Sequence, residues 1–265
     1  IPTFVDAADY DALVLTEAFA EAPRDVLVRA FEARGYHHAE VLGAEAPSHC
    51  RSQFGPIEIA TSMTLNGGVL LFSRYPIEAA DERLFGDLCA GEDCCSAKGV
   101  SYIRFRKEGA CVHLFGTHLQ NQTPIVTQLD PSEVRRQQVT AVRAFIDATL
   151  ASAPCGGPVV LAGDLNYLPE DWEEAARGFA WPSAMEGPAS WGGDGNRYVE
   201  TDAPEHLDYL VAVRPGPEPR HARMQTHLFR AELDVARGLL GVRRHTQVTD
   251  LSDHHPVSGH FAFDR

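Results

Sequence analysis

The chain reads as an α/β protein in which two mixed β-sheets pack on each other with helices on the outer faces. Three observations predict this. Short apolar runs, many of them β-branched, recur along the chain with turn signals at their ends, which is the pattern of buried strands. Stretches with an apolar stripe at helical spacing intervene between some of these runs. Elsewhere apolar runs follow one another closely enough to be hairpin neighbours, so the sheets are mixed rather than purely parallel. Strands that are apolar on both faces suit sheet-on-sheet packing.

The elements follow in order. Ala12 to Thr16 (ALVLT) is the first apolar run, and a helix is expected over about residues 22 to 34. Strands are then expected at Val69 to Ser73 (VLLFS), Val100 to Phe105 (VSYIRF) and Val112 to Gly116 (VHLFG). A second helix starts with Ser132 as N-cap, and Val134, Val142, Phe145, Ile146 and Leu150 form its apolar stripe. Val159 to Ala162 (VVLA), Leu207 to Val211 (LDYLV) and Val257 to Phe263 complete the strands. No internal repeat, low-complexity tract or Pro/Ser-rich linker divides the sequence, so residues 1–265 are expected to form one domain.

Composition narrows the function. The chain is 44% hydrophobic and contains no apolar run of roughly 18 residues, so no membrane-spanning helix is expected. Its 37 acidic and 23 basic residues give a net charge of −14. A protein that grips duplex DNA through its phosphates presents a basic surface. The acidic balance therefore disfavours a nucleic-acid partner and fits a soluble enzyme whose metal supplies positive charge. Six cysteines, four of them near turns (Cys50, Cys89, Cys94, Cys95), suit disulfides in a secreted protein. Six reduced cysteines in a cytosolic enzyme is the alternative.

The polar residues that stand out lie at the ends of apolar runs, where α/β sheets assemble their sites. Glu17 follows ALVLT, His118 follows VHLFGT, and Asp164 and Asn166 follow VVLAG. Asp253 and His254 lie in Leu251-Ser-Asp-His-His-Pro256, just before the last strand. Carboxylate and amide oxygens suit Mg²⁺, which takes few protein ligands and keeps waters for substrate phosphate. Histidines beside such a metal can exchange protons near neutral pH. Singly, each signal has a plain structural reading: Glu17 as a helix-start residue, Asp164-Leu-Asn166 as a turn, Asp253 as a cap, His118 as a core histidine. Their order along the chain is what makes them specific.

That order is Glu17-Ala-Phe19, Asn66-Gly-Gly-Val69, Lys98-Gly99, Gly116-Thr-His-Leu-Gln120, Gly163-Asp-Leu-Asn166, His206-Leu-Asp-Tyr209 and Ser252-Asp-His-His-Pro256. Over nearly the whole chain it resembles the endonuclease/exonuclease/phosphatase superfamily, most closely its bacterial neutral sphingomyelinase and phospholipase C branch. The resemblance implies a deoxyribonuclease-like four-layer fold. It implies a single catalytic domain that hydrolyses a phospholipid head-group ester with a Mg²⁺-activated water, Mn²⁺ or Co²⁺ being other candidate cations. Glu17, Asp164, Asn166, Asp253 and His254 would form the metal shell, with Asp164 and Asn166 positioning the attacking water and a phosphate oxygen. His254 would be the general acid/base and Asp208 would orient the catalytic imidazole. His118 would stabilise charge on the pentacoordinate phosphorus. Whether His254 or Asp164 takes the water proton stays open. The alternatives are a nuclease or sugar-phosphate phosphatase on the same scaffold, and a non-catalytic protein of that fold. The partner expected is a phospholipid or other phosphodiester, met by a secreted monomer with weak or transient membrane contact.

Three features set the sequence apart from that branch. The opening strand ending in a metal-shell Asn does not precede Ile1, so truncation of the N-terminal strand is expected. Leu65 and Asn66 stand where the branch carries an acidic pair, which weakens an accessory metal site at the edge. The stretch from Glu232 to Leu251 has no aromatic residue besides His245, so deep bilayer insertion is not expected. Among the cysteines, Cys89 with Cys94, Cys111 with Cys155, and by remainder Cys50 with Cys95 are the expected pairs. Trp172, Trp181 and Trp191 around a Gly-rich loop read as packing residues, and Arg135, Arg136 and Arg243-Arg244-His245 as solvated charge. Lys98 reads equally as a phosphate contact or a loop brace.

Overall fold

The computed structural model describes residues 10–44, 50–54, 57–61, 65–122, 124, 129–171, 179–180, 184–192, 196, 199, 203–228, 230–239, 242–250 and 252–264. The first half runs β1 (Ala12–Leu15), α1 (Glu21–Glu32), β2 (His37–His38), β3 (Cys50–Phe54), β4 (Ile57–Thr61), β5 (Leu70–Ser73), β6 (Ile77–Leu84), β7 (Gly99–Lys107) and β8 (Ala110–His118). The second half runs α2 (Pro131–Ser152), β9 (Val159–Asp164), β10 (Phe179–Ala180), β11 (Ala184–Glu186), β12 (Asp208–Val213), β13 (His221–Thr226), β14 (Arg230–Leu239), β15 (Val242–Asp250) and β16 (Val257–Ala262).

Six strands form the central sheet in the order β10-β12-β9-β8-β7-β6. Only β8 and β9 run parallel, and α2 makes the crossover between them that a parallel pair requires. β1-β5-β2 and β11-β13-β16 are separate three-stranded sheets, and β3-β4 and β14-β15 are two-stranded.

The period-2 alternation of the strands sorts their side chains into two cores. On one face of the central sheet Tyr102, Phe115, Val159 and Leu161 meet Val139, Val142, Phe145 and Ile146 of α2. On the other face Ile103, Leu114, Val160 and Ala162 meet Leu71 of β5 and Val14 of β1. The far side of β5, through Leu70 and Phe72, packs on Phe31 of α1. The layers are therefore helix, sheet, sheet, helix. Gly116 lies at a close approach of the two sheets, since a Cβ there would lie 2.5 Å from Leu71 Cδ2.

Several boundaries differ from the sequence expectation. Asp130, not Ser132, caps α2: its side chain accepts the Ser132 N–H, and Pro131 occupies the first turn, where no N–H is needed. Strand β8 extends through His118, so that residue ends a ladder rather than following it. Arg135 is buried rather than solvated. Cys89–Cys94 and Cys111–Cys155 are disulfides as expected. Cys95 is also disulfide-bonded, while the Cys50 side chain lies outside the described set. Trp172, Trp181 and the side chains of Arg243, Arg244 and His245 lie outside it too. No helix among the described residues is long and apolar enough to cross a membrane.

Candidate active site

Three candidate residues lie abreast at one end of the central sheet. The β8-β9 register pairs His118 with Asp164, and the β9-β12 register pairs Asp164 with Asp208. Adjacent strands are about 4.8 Å apart, so consecutive partners are within side-chain reach. His118 Nε2 stands 3.4 Å from Asp164 Oδ2. His254 enters from the turn before β16: its Nδ1 is 2.7 Å from Asp208 Oδ2 and its Nε2 is 3.8 Å from Asp164 Oδ2. Asp164 Oδ2 thus lies between two imidazole Nε2 atoms.

Asn166 closes the group. Its backbone N–H donates to Asp164 Oδ1 at 2.9 Å, and its Nδ2 donates to Leu119 O at 3.2 Å. With the amide nitrogen engaged, Oδ1 is the atom left to face a ligand. Asn166 adopts φ 51° and Glu17 φ 58°, in the left-handed region. Such backbone costs on the order of 1–3 kcal/mol and persists where surroundings enforce it, typically at functional sites.

The surroundings that enforce it at Glu17 are visible. The Ala18 N–H donates to Gly68 O at 2.8 Å, Asn66 Nδ2 donates to Phe19 O at 2.9 Å, and Gly68 N–H donates to Asn66 Oδ1 at 2.8 Å. Gly68, at φ 69°, lies so close to Phe19 that a Cβ would come within 2.5 Å of its ring. The Asn66-Gly-Gly-Val69 motif is therefore the clamp on the loop that presents Glu17.

The electrostatics show crowded negative charge. Burial and the Asp208 charge push Asp164 up to about 7, against the pull of His254. Burial and Asp253 raise Glu17, with His254 and Lys98 opposing and Asp208 adding. The charges of Asp253 and Asp208 therefore both reach Glu17. Burial holds His118 neutral, aided by Lys98 and the charge of His254. Burial works against the charged form of His254 too, but Asp208, Asp164 and Asp253 outweigh it and raise the pKa to about 10.

Among the described residues, Asp164, Asp208 and His254 bring three ligating atoms within 4.8 Å of one another. The short Asp208–His254 bond already occupies two of them, so this trio also reads as a proton path. Clustered carboxylates, of which Asp164 is buried, together with an amide oxygen are the donor chemistry of a hard divalent cation. The residues present therefore fit such an ion.

Two cations act as braces. Lys98 is buried and donates to Asp93 Oδ2 at 2.8 Å and to Leu119 O at 3.0 Å. Asp93 lies in the Gly91–Cys95 turn beside the Cys89–Cys94 disulfide. Of the two readings of Lys98, the structure supports the loop brace. Arg135 donates to Asn121 O at 3.0 Å and covers the Tyr167 ring, linking the segment after His118 to the one after Asn166. An arginine on an amphipathic helix gives no sequence signal of such a role.

A model of the endonuclease/exonuclease/phosphatase family matches residues 1–254. A Leptospira interrogans protein named Sphingomyelinase C 2 is 27% identical over 267 residues, covering 96% of this chain and 41% of its own length. A Bacillus cereus Sphingomyelinase C is 28% identical over 235 residues, covering 82% of this chain and 69% of its own. The chain thus spans well under half of the Leptospira relative. Among solved structures, sphingomyelinase C from Streptomyces griseocarneus superposes with TM-score 0.78 at 28% identity, covering 98% of this chain and 90% of its own. Staphylococcus aureus beta toxin with bound magnesium ions shares the fold, with TM-score 0.79 at 23% identity over 98% of this chain and 91% of its own.

Proposed function

The chain belongs to the endonuclease/exonuclease/phosphatase family, and from that premise we propose that it is a secreted, metal-dependent phosphodiesterase that releases the phosphorylated head group of sphingomyelin or a related phospholipid. The observation that carries the reading is the convergence of His118, Asp164, Asn166, Asp208 and His254 at one sheet end, with the 2.7 Å Asp208–His254 bond facing Asp164. The names of the relatives supply the lipid substrate class. Disulfides suit an oxidising compartment. Residues 1–265 act as a single catalytic domain and a monomer in this reading.

Glu17, Asp164, Asn166 and Asp253 would hold a Mg²⁺ ion in this reading, with His254 an outer member of its shell; the ion would supply positive charge for a phosphoryl oxygen and lower the pKa of water. The protein groups handle the protons. Asp208 accepts the Nδ1–H of His254 and so leaves Nε2 as the reactive atom. In its charged form His254 gives the Nε2 proton to the departing lipid oxygen. Asp164, whose pKa is raised to about 7, takes the proton of the attacking water. Neutral His118 stabilises charge on the phosphoryl oxygens as phosphorus becomes five-coordinate. One P–O bond forms and one breaks, giving a phosphorylated head group and a lipid alcohol.

Product analysis by ³¹P NMR tests the reading on sphingomyelin, phosphatidylcholine, phosphatidylethanolamine, water-soluble glycerophosphodiesters and plasmid DNA, each with Mg²⁺ or with EDTA. A head-group phosphomonoester is expected from a lipid with Mg²⁺ and none with EDTA. Cleavage of DNA with every lipid intact would overturn the substrate assignment.

A further inference from the structure

The segment Ser190-Trp-Gly-Gly-Asp-Gly-Asn196 lies between β11 and β12 and reads in sequence as packing and turn residues. Its two ends do more. Ser190 is fully buried. Its Oγ accepts the backbone N–H groups of Leu207 at 3.0 Å and Asp208 at 3.1 Å. Its carbonyl accepts the His255 N–H at 2.7 Å. One residue thereby holds the backbone on both sides of the Asp208–His254 pair. Asn196, 4% exposed, donates through Nδ2 to the carbonyls of Ser252 at 3.0 Å and Asp253 at 3.2 Å, the two residues before His254. Between them, Trp191 exchanges two 2.9 Å backbone bonds with Glu205 and forms a bridge with His254.

We propose that Ser190 and Asn196 are positioning residues that join the Asp208 and His254 segments and so set the aim of the His254 imidazole. The proposal rests on the reading of His254 as the proton-transferring group. Asp208 and His254 are 46 residues apart in sequence, so their 2.7 Å bond depends on what fixes the two backbones relative to each other. Ser190 does this with one side-chain oxygen and one carbonyl. A hydroxyl suits the place because a single small oxygen can accept two successive N–H groups. Alanine would leave both buried N–H groups unpaired, whereas threonine keeps the oxygen. At Asn196 one amide nitrogen spans two successive carbonyls. An aspartate would set oxygen against oxygen there.

The test compares Ser190→Ala, Ser190→Thr, Asn196→Ala and Asn196→Asp with the unaltered chain. Three readouts are taken: steady-state kinetics on sphingomyelin in mixed micelles with Mg²⁺, thermal unfolding, and the low-field proton NMR signal of the His254 Nδ1–H, identified by its loss in His254→Ala. Ser190→Ala, Asn196→Ala and Asn196→Asp are expected to lower kcat by about tenfold to a hundredfold, as a small misplacement of a catalytic group does. KM should stay within about twofold, since substrate binding is not what is lost. The Nδ1–H signal should shift upfield or broaden beyond detection. Ser190→Thr should restore most of kcat and the signal. Tyr102→Phe serves as a control for instability alone. It removes a buried bond to His113 in the core and should lower the melting temperature without changing kcat. If Ser190→Ala does not fold, the Asn196 variants carry the test through the Ser252 and Asp253 carbonyls. Folded variants with unchanged kcat and an unchanged Nδ1–H signal would overturn the proposal, as would a kcat loss that follows only the unfolded fraction. If the unaltered chain hydrolyses no phosphodiester, the functional reading fails by itself. The NMR signal then still decides whether Ser190 and Asn196 set the Asp208–His254 bond.

Discussion

Removing the imidazole at position 254 isolates the proton step. His254→Ala should lower kcat by on the order of 10²–10⁴, the usual contribution of a general acid/base. The circular dichroism spectrum should stay native, and near-normal turnover in the folded variant would retire that role. Another histidine reports on stability. His113 is fully buried, with Tyr102 Oη 2.8 Å from Nδ1 and Cys155 O 3.1 Å from Nε2. Burial depresses its pKa, with the Cys155 bond opposing and Arg104 adding. The unfolded chain therefore binds this proton more readily than the folded one. The stabilisation is complete above the ordinary histidine value near 6.5 and is lost as pH falls through the lower folded value. Melting curves over that window should be less steep with pH in His113→Gln than in the unaltered chain, and equal slopes would exclude the effect. At this scale the cluster at the sheet end was legible, because acids and histidines at the ends of apolar runs have few structural reasons to recur in that order. Arg135, Ser190 and Asn196 were not legible: each acts through backbone carbonyls or N–H groups contributed by distant segments.

The strands that could be read were those buried on both faces, such as Val159–Asp164 and Leu70–Ser73. Strand β6, on the edge of the central sheet, carries Ala79-Ala-Asp-Glu-Arg83 and is mostly exposed, so no apolar pattern announces it. Strands β14 and β15 form a ladder from Arg230↔Asp250 to Leu239↔Val242 through polar sequence, which hid them equally. The sheet-to-sheet contact makes a specific claim about Gly116. Gly116→Val must push Leu71, Val14 or Val69 aside, and overpacking of this kind costs about 1–3 kcal/mol or more. Its urea midpoint should fall, and an unchanged midpoint would show that the sheets have room. The disulfides should rank by loop length. Cys111–Cys155 closes a separation of 44 residues and Cys89–Cys94 one of 5. Chain entropy then assigns roughly 4 kcal/mol to the first and roughly 2 to the second. Calorimetry on the two paired Cys→Ala variants should show the larger loss for Cys111 with Cys155, and the reverse order would contradict the entropic account.

The whole molecule is acidic, with a net charge of −14, and its paired strands β14 and β15 carry no Phe, Tyr or Trp. Interfacial binding needs exposed apolar area or basic charge against anionic lipid. Two apolar side chains such as Leu239 and Leu240 contribute at most a few kcal/mol, at about 1.5–3 kcal/mol each, before ordering costs. Weak, transient binding to zwitterionic vesicles is therefore expected, with relatively better activity on dispersed or short-chain lipids than on tight bilayers. Tight, salt-insensitive co-sedimentation with sphingomyelin or phosphatidylcholine vesicles would show an anchor elsewhere. The layered fold was legible as a whole, because alternation along β7, β8 and β9 writes both cores into the sequence. The central claim is that water attacks phosphorus and the lipid oxygen departs, in a reaction that needs a divalent cation. Turnover of sphingomyelin micelles in H₂¹⁸O, followed by ³¹P NMR, tests it most directly. With Mg²⁺ the released head-group phosphate should carry the ¹⁸O isotope shift, and with EDTA no product should form. Turnover that persists in EDTA, or a released phosphate without the isotope shift, would contradict it.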